Sequence, residues 1–144
     1  MKDKRSINIP TVTRFVREVL GCNCPDEVFR EVEIQRGSPA VKSLAADYEI
    51  RIGGRLLVVL TSEPAERLVG PRLEQAFEEG KRARDGSGFN RFRLVVAVRD
   101  AAQEKEKLLR AFQDIPSRDE KTHLHVVDKQ TVPDFFLKAP PPSS

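Results

Sequence analysis

Two adjacent glycines, Gly53 and Gly54, divide residues 48–60 into two strand-forming runs. A two-residue primed turn needs positive φ at both central positions, which glycine adopts without steric cost, so the segment predicts an antiparallel hairpin. Its two arms differ in kind. The first alternates Tyr48, Ile50 and Ile52 with Glu49 and Arg51, the pattern of a half-exposed strand. The second, Leu56-Leu57-Val58-Val59-Leu60, is apolar throughout and belongs at the centre of a sheet covered on both faces.

The flanking segments supply the covering layers. Val12, Phe15, Val16, Val19 and Leu20 recur at the spacing of one helical face, and Gly21 follows as a C-terminal cap. Val32 and Ile34 with alternating polar neighbours predict a first strand. Gly70-Pro71 opens a helix carrying Leu73, Ala76, Phe77 and Gly80, and residues 92–98 form a second apolar strand. Asp100 with Gln103 resembles a capping box ahead of a helix with Leu108, Leu109, Phe112 and Ile115. A last strand lies near residues 123–127, and residues 132–137 predict a short docking helix. The order α-β-β-β-α-β-α-β implies an α/β fold, a single domain with a mixed sheet of about five strands and helices on both faces. Residues 10–138 form that domain, residues 1–9 a mobile basic arm and residues 139–144 a disordered Pro-rich tail.

At 144 residues the chain is long enough for one core without disulfide staples. Its longest apolar run, residues 56–60, is far short of a bilayer span, and no apolar stretch of the signal-peptide kind follows the basic start. A cytoplasmic protein with no membrane partner is the expectation. The net charge of +3 invites a nucleic-acid reading. However, Lys2, Lys4, Arg5, Arg14 and Arg17 against Asp3 exceed that excess alone, so the remainder of the chain is close to neutral.

In element order, a helix, three meandering strands, a helix and a further strand, the chain resembles the PD-(D/E)XK nuclease-like fold. The resemblance implies an acid near the start of the second strand and an acid-x-lysine pair on the third, because two carboxylates must hold Mg²⁺ at the scissile phosphate. Asp47 meets the first requirement. The third strand has no acid and no lysine, and Glu63 lies beyond it before Pro64. The expectation is therefore an inactive nuclease-like scaffold and a non-hydrolytic accessory protein rather than an enzyme.

The chain has two cysteines and two histidines, arranged as Cys22-x-Cys24 and His123-x-His125. Strand residues two apart share a face, so the histidines project side by side. Four such ligands in two pairs suit a tetrahedral Zn²⁺ site, although the C-x-C spacing is tighter than the usual C-x₂₋₄-C. A second reading keeps the cysteines alone. A bridge between residues this close restrains little of the chain, which argues against a structural disulfide and for reduced thiols, metal ligands or redox groups. Cys24-Pro25 precedes a short predicted helical turn that favours thiolate, whereas Asp26 and Glu27 oppose it. Locally, residues 20–28 resemble the Leu-Gly-x-x-Cys-Pro-x-x-Val stretch of TusA-type sulfur carriers, in which the cysteine before proline carries sulfur. This chain departs from that motif by placing Glu27 at the second proline. A third reading packs the cysteines as small apolar residues.

Lys81, Arg82, Arg84, Arg91 and Arg93, interleaved with Phe89 and Phe92, form the alternative, a patch for single-stranded nucleic acid. Gly86-Ser87-Gly88 follows a helix rather than a strand, so it is not a phosphate-binding loop, and no Gly-x-Ser-x-Gly elbow is present. The overall expectation is an accessory protein whose Cys22/Cys24 segment binds metal or performs thiol or sulfur chemistry. The alternative is a protein- or nucleic-acid-binding module with structural cysteines. The partner expected is another protein, with homodimerisation through an edge strand left open.

Overall fold

In the computed structural model of the chain, which describes residues 6–116 and 118–137, the predicted hairpin lies within one five-stranded mixed sheet. Its strands are β1 (Val32–Arg36), β2 (Ala46–Ile52), β3 (Leu56–Thr61), β4 (Arg91–Val98) and β5 (Thr122–Asp128), in that spatial order. The first three form an antiparallel meander, whereas β3, β4 and β5 run parallel. Gly53 and Gly54 adopt φ values of +58° and +63°, and the Arg55 N–H closes the turn on the Ile52 carbonyl at 3.0 Å. Gly53 is required twice, because a Cβ there would stand 2.6 Å from the Val28 carbonyl oxygen.

All six residues of β3 are buried, as its apolar sequence demands. Alternation sends Leu56, Val58 and Leu60, with Val95, Ala97 and Val127, toward one layer. That layer is α1 (Ile9–Arg14), the π turn that continues it (Phe15–Val19), and Phe135 and Phe136. Leu57, Val59, Leu94, Val96 and Leu124 face the other layer, made by α2 (Ala65–Leu68), α3 (Pro71–Ser87) and α4 (Ala101–Gln113). The α/β architecture read from the sequence is therefore present, with helices on both faces.

Four local expectations are corrected. The apolar spacing of residues 12–20 predicts one regular helix, but the backbone widens at Phe15: the Leu20 N–H reaches the Phe15 carbonyl at 3.2 Å and the Cys22 N–H the Val16 carbonyl at 3.1 Å. Apolar periodicity marks the buried face and is insensitive to one extra residue in a turn. Within the stretch 1–9 expected as an arm, residues 7 and 8 are tied down, because Ile7 bridges Phe136 and the Asn8 N–H donates to the Phe135 carbonyl at 2.8 Å. Residues 1–5 and the Pro-rich tail at 139–144 lie outside the described residues. The docking helix expected at residues 132–137 is instead extended, since Pro133 removes a donor and the Asp134 carboxylate takes the Phe136 N–H at 3.1 Å. Its aromatic residues dock as predicted, with both rings buried.

The fourth correction concerns β2. Glu49, expected to be exposed, is fully buried under the 37–45 connection. Its carboxylate accepts from Ser38 Oγ (2.8 Å), the Ala40 N–H (3.1 Å), Gln35 Nε2 (2.9 Å) and Arg51 Nε (2.8 Å). Burial alone would raise its pKa. The donors from Ser38, Arg51 and Ala40 outweigh burial and hold the carboxyl below its ordinary value.

Candidate functional site

The parallel register of β4 and β5 pairs Arg93 with His123 and Val95 with His125. Side-chain alternation then puts Arg91, Arg93, His123 and His125 on the same face as Val95, Ala97 and Val127, at the N-terminal ends of the strands. Above this polar end passes the segment leaving the π turn, which Gly21 turns back at φ +68°. Arg93 Nη1 donates to the Leu20 carbonyl at 3.1 Å and to His125 Nε2 at 2.8 Å. Arg91 Nη1 donates to the Glu120 carbonyl at 3.1 Å and lies 3.3 Å from His123 Nε2. A guanidinium has no acceptor, so Nε2 is the acceptor in both histidines and each neutral ring carries its proton on Nδ1. The electrostatics agree. Burial, then Arg93 and His123, push His125 down to about 4, and burial with Arg93 and Arg91 also lowers His123.

The Cys22–Asn23–Cys24 loop is anchored from the π turn by Arg17, whose Nη2 donates to the Cys24 carbonyl (2.7 Å) and to Asp26 Oδ1 (2.6 Å). The same guanidinium lies over the Phe29 ring at 5.2 Å. Cys22 and Cys24 are joined by a disulfide and are half-buried. They line a cavity of about 440 Å³ together with Arg55, Arg91, Arg93 and His123. Arg55 is brought there by its own carbonyl, which receives the N–H groups of Asn90 (2.7 Å) and Arg91 (3.1 Å). Among the described residues no Asp or Glu lines this cavity. Asp26 is paired with Arg17 at 2.6 Å, and Asp119 with Arg84 at 2.8 Å. A larger cleft of about 510 Å³ beside α1 mixes Glu18 and Asp26 with Arg14, Arg17 and Arg30 and holds no reactive pair.

Several sequence expectations change here. The cysteines, expected as reduced thiols, metal ligands or redox groups rather than as a structural disulfide, are bridged. A three-residue loop gains little closure entropy, about 1.6 kcal/mol against about 3 for fifteen residues, so the bond contributes little as a staple. The predicted Zn²⁺ site at Cys22, Cys24, His123 and His125 is not assembled. Both sulfurs are engaged with each other, and each histidine Nε2 faces a guanidinium. Among the described residues no group of three or more His, Cys, Asp or Glu is placed to hold a metal ion. Three of the four residues do meet around one cavity, while His125 lies beneath Arg93. The helical turn after Cys24 is a five-residue 3-10 helix, Asp26–Arg30, too short to offer a substantial dipole.

The nuclease residues stand apart as well. Glu63 accepts from Arg72 Nη2 and the Ala45 N–H, while Asp47 faces a different cleft with Arg36, Tyr48 and Lys129. The proposed nucleic-acid patch divides between the two faces of the sheet. Lys81, Arg82 and Arg84 belong to α3, Arg84 is buried against Asp119 and Asp85, and Arg91 and Arg93 lie on the opposite face. Phe92 is fully buried against Phe77 and offers no stacking platform.

Sequence reasoning missed the roles of Arg55 and Arg93 in the cavity. A signal was present for the second. In the apolar run 92–98, Arg93 shares parity with Val95 and Ala97, which places a charge on an inward-facing row. No protein-family model, curated protein or solved structure matches the chain.

Proposed function

We propose that the protein is a thiol–disulfide exchange protein whose reactive element is the Cys22/Cys24 pair. The observation that supports this most directly is that both bridged cysteines line a cavity with three guanidiniums and, among the described residues, no carboxylate. In the first step an external thiolate attacks one sulfur. A mixed disulfide forms, the Cys22–Cys24 bond breaks, and its electron pair leaves on the other cysteine as thiolate. A second external thiolate attacks the mixed disulfide, releasing an oxidised disulfide and the second cysteine thiolate. Both leaving groups develop negative charge beside Arg91 and Arg93, which lowers the cost of their departure. Arg17 keeps the loop in place through the Cys24 carbonyl.

Since the bridge spans so few residues, reduction should leave the fold intact. The test is native thiol titration. After treatment with excess dithiothreitol and its removal, two thiols should react rapidly in the folded protein and should re-form the Cys22–Cys24 bond in a glutathione-type redox buffer. Mass spectrometry would locate the bond, and C22S should show one reactive thiol and no intramolecular reoxidation. Thiols that react only after denaturation would show the cysteines to be structural and overturn the proposal.

A further inference from the structure

Two arginines of this protein are buried to a similar degree, and they are treated differently. Arg84 is 3% exposed and Arg93 9%. Arg84 donates through Nη1 and Nη2 to the two carboxylate oxygens of Asp119 at 2.9 and 2.8 Å, with Asp85 on its Nε at 3.0 Å, so its charge is fully countered. Arg93 meets no carboxylate among the described residues. Its only partners among the described residues are a carbonyl and a neutral histidine, both on Nη1, and its Nε is buried with no partner. A buried guanidinium without a counter-charge is costly, and the missing partner requires an explanation. The surroundings give one. Arg91 and Arg55 line the same cavity, which therefore concentrates positive charge with no acid on its wall among the described residues. Its volume of about 440 Å³ suits a small molecule. A polynucleotide backbone would not reach a side chain so deeply covered. In the oxidised chain neither cysteine is a thiolate, so neither supplies the counter-charge.

We propose that the cavity is a receptor for the oxyanion of a small ligand, with Arg93 as its base and Arg91 and Arg55 at its mouth, so that the preferred exchange partner is a small anionic thiol. The choice of thiol rests on the exchange reading above; anion binding itself does not. The oxyanion, carboxylate or phosphate, neutralises Arg93 and accepts charge-assisted hydrogen bonds, while the thiol of the same molecule approaches Cys22 or Cys24. The electron balance is that of the exchange already described, with the anionic thiol as reductant.

The experiment has two arms. In the first, isothermal titration calorimetry of the oxidised protein with succinate and with inorganic phosphate should give saturable binding to at least one, and the stronger identifies the oxyanion. R93M should abolish it. R91Q and R55Q, at exposed positions, should each weaken it by about tenfold, while R82Q on the opposite face should leave it unchanged. In the second, the rates of disulfide reduction by 3-mercaptopropionate and by neutral 2-mercaptoethanol are compared at equal thiolate concentration. The wild type should favour the anionic thiol by about tenfold, with saturation, and R91Q should bring the ratio toward one. Failure of the oxidised wild type to bind either anion would overturn the proposal. So would equal rates with both thiols, which would leave the exchange reading standing. Binding of anions with no reduction by either thiol would retain the receptor and reject exchange. Tighter binding of single-stranded DNA than of either small anion would reject the small-ligand assignment.

Discussion

His125 lies against a guanidinium that does not release its proton, and its position sets a pH dependence. Its folded pKa of about 4 is below the ordinary histidine value of 6.5, so as pH falls the unfolded chain takes up the proton first. The stabilising contribution is complete above about 6.5 and is lost progressively down to about 4, with a limiting slope of about 1.4 kcal/mol per pH unit. H125Q keeps an acceptor for Arg93 and removes the titration. Urea unfolding between pH 7 and pH 5 should show a shallower loss of stability in the variant than in the wild type; equal slopes would contradict the assignment. This pairing was not legible from the sequence, where the two histidines were read as ligands for a metal. Their i, i+2 spacing correctly put both on one face, but the facing residues come from β4, some thirty positions away, and no local pattern reports a parallel register. Glu49 was missed for a related reason. Alternation marks which face a strand residue occupies, and it is silent about a loop folding over that face.

At the scale of elements, α3 packs on β4 partly through a glycine, which leaves room for the Phe92 ring. A Cβ on Gly80 would stand 2.3 Å from the Phe92 ring, which is itself fully buried and edge-on to Phe77 with centroids 5.7 Å apart. G80A should therefore destabilise by about 1–3 kcal/mol in denaturant unfolding, overriding alanine's better helix propensity. Gly86 in the same helix has nothing within 4 Å of its virtual Cβ. G86A should stabilise by about 0.4–1 kcal/mol, and the opposite signs of the two variants separate packing from propensity. Strands and helices of this kind were legible: the hairpin turn, the wholly buried β3 and the apolar face of α3 follow from residue type and period alone. The π turn was not. Its widening carries Leu20 to Arg93 and starts the loop that holds the cysteines, so an irregular element contributes directly to the wall of the cavity.

On the scale of the whole molecule, the cavity opens at the N-terminal ends of the parallel strands, whereas open α/β sheets commonly bind ligands beyond the carboxyl ends. The reason is the meander. Two antiparallel strands bring the β2–β3 turn, and with it Arg55, to the edge where β4 and β5 begin. The same global arrangement ties the start of the described chain to its end, with the Leu137 N–H on the Ser6 carbonyl at 2.8 Å beside the bridge of Ile7 to Phe136. Two segments joined this closely make the path of the backbone nearly a closed ring. A circular permutant with a short Gly-Ser linker from Leu137 to Ser6, opened in the connection between α4 and β5, should keep one cooperative unfolding transition. Loss of that transition would contradict this reading. Where a covalent ring replaces it, the new ends lie just ahead of β5, on the same edge as the cavity lined by Cys22, Cys24 and His123, so a protein fused there is held beside the cavity mouth.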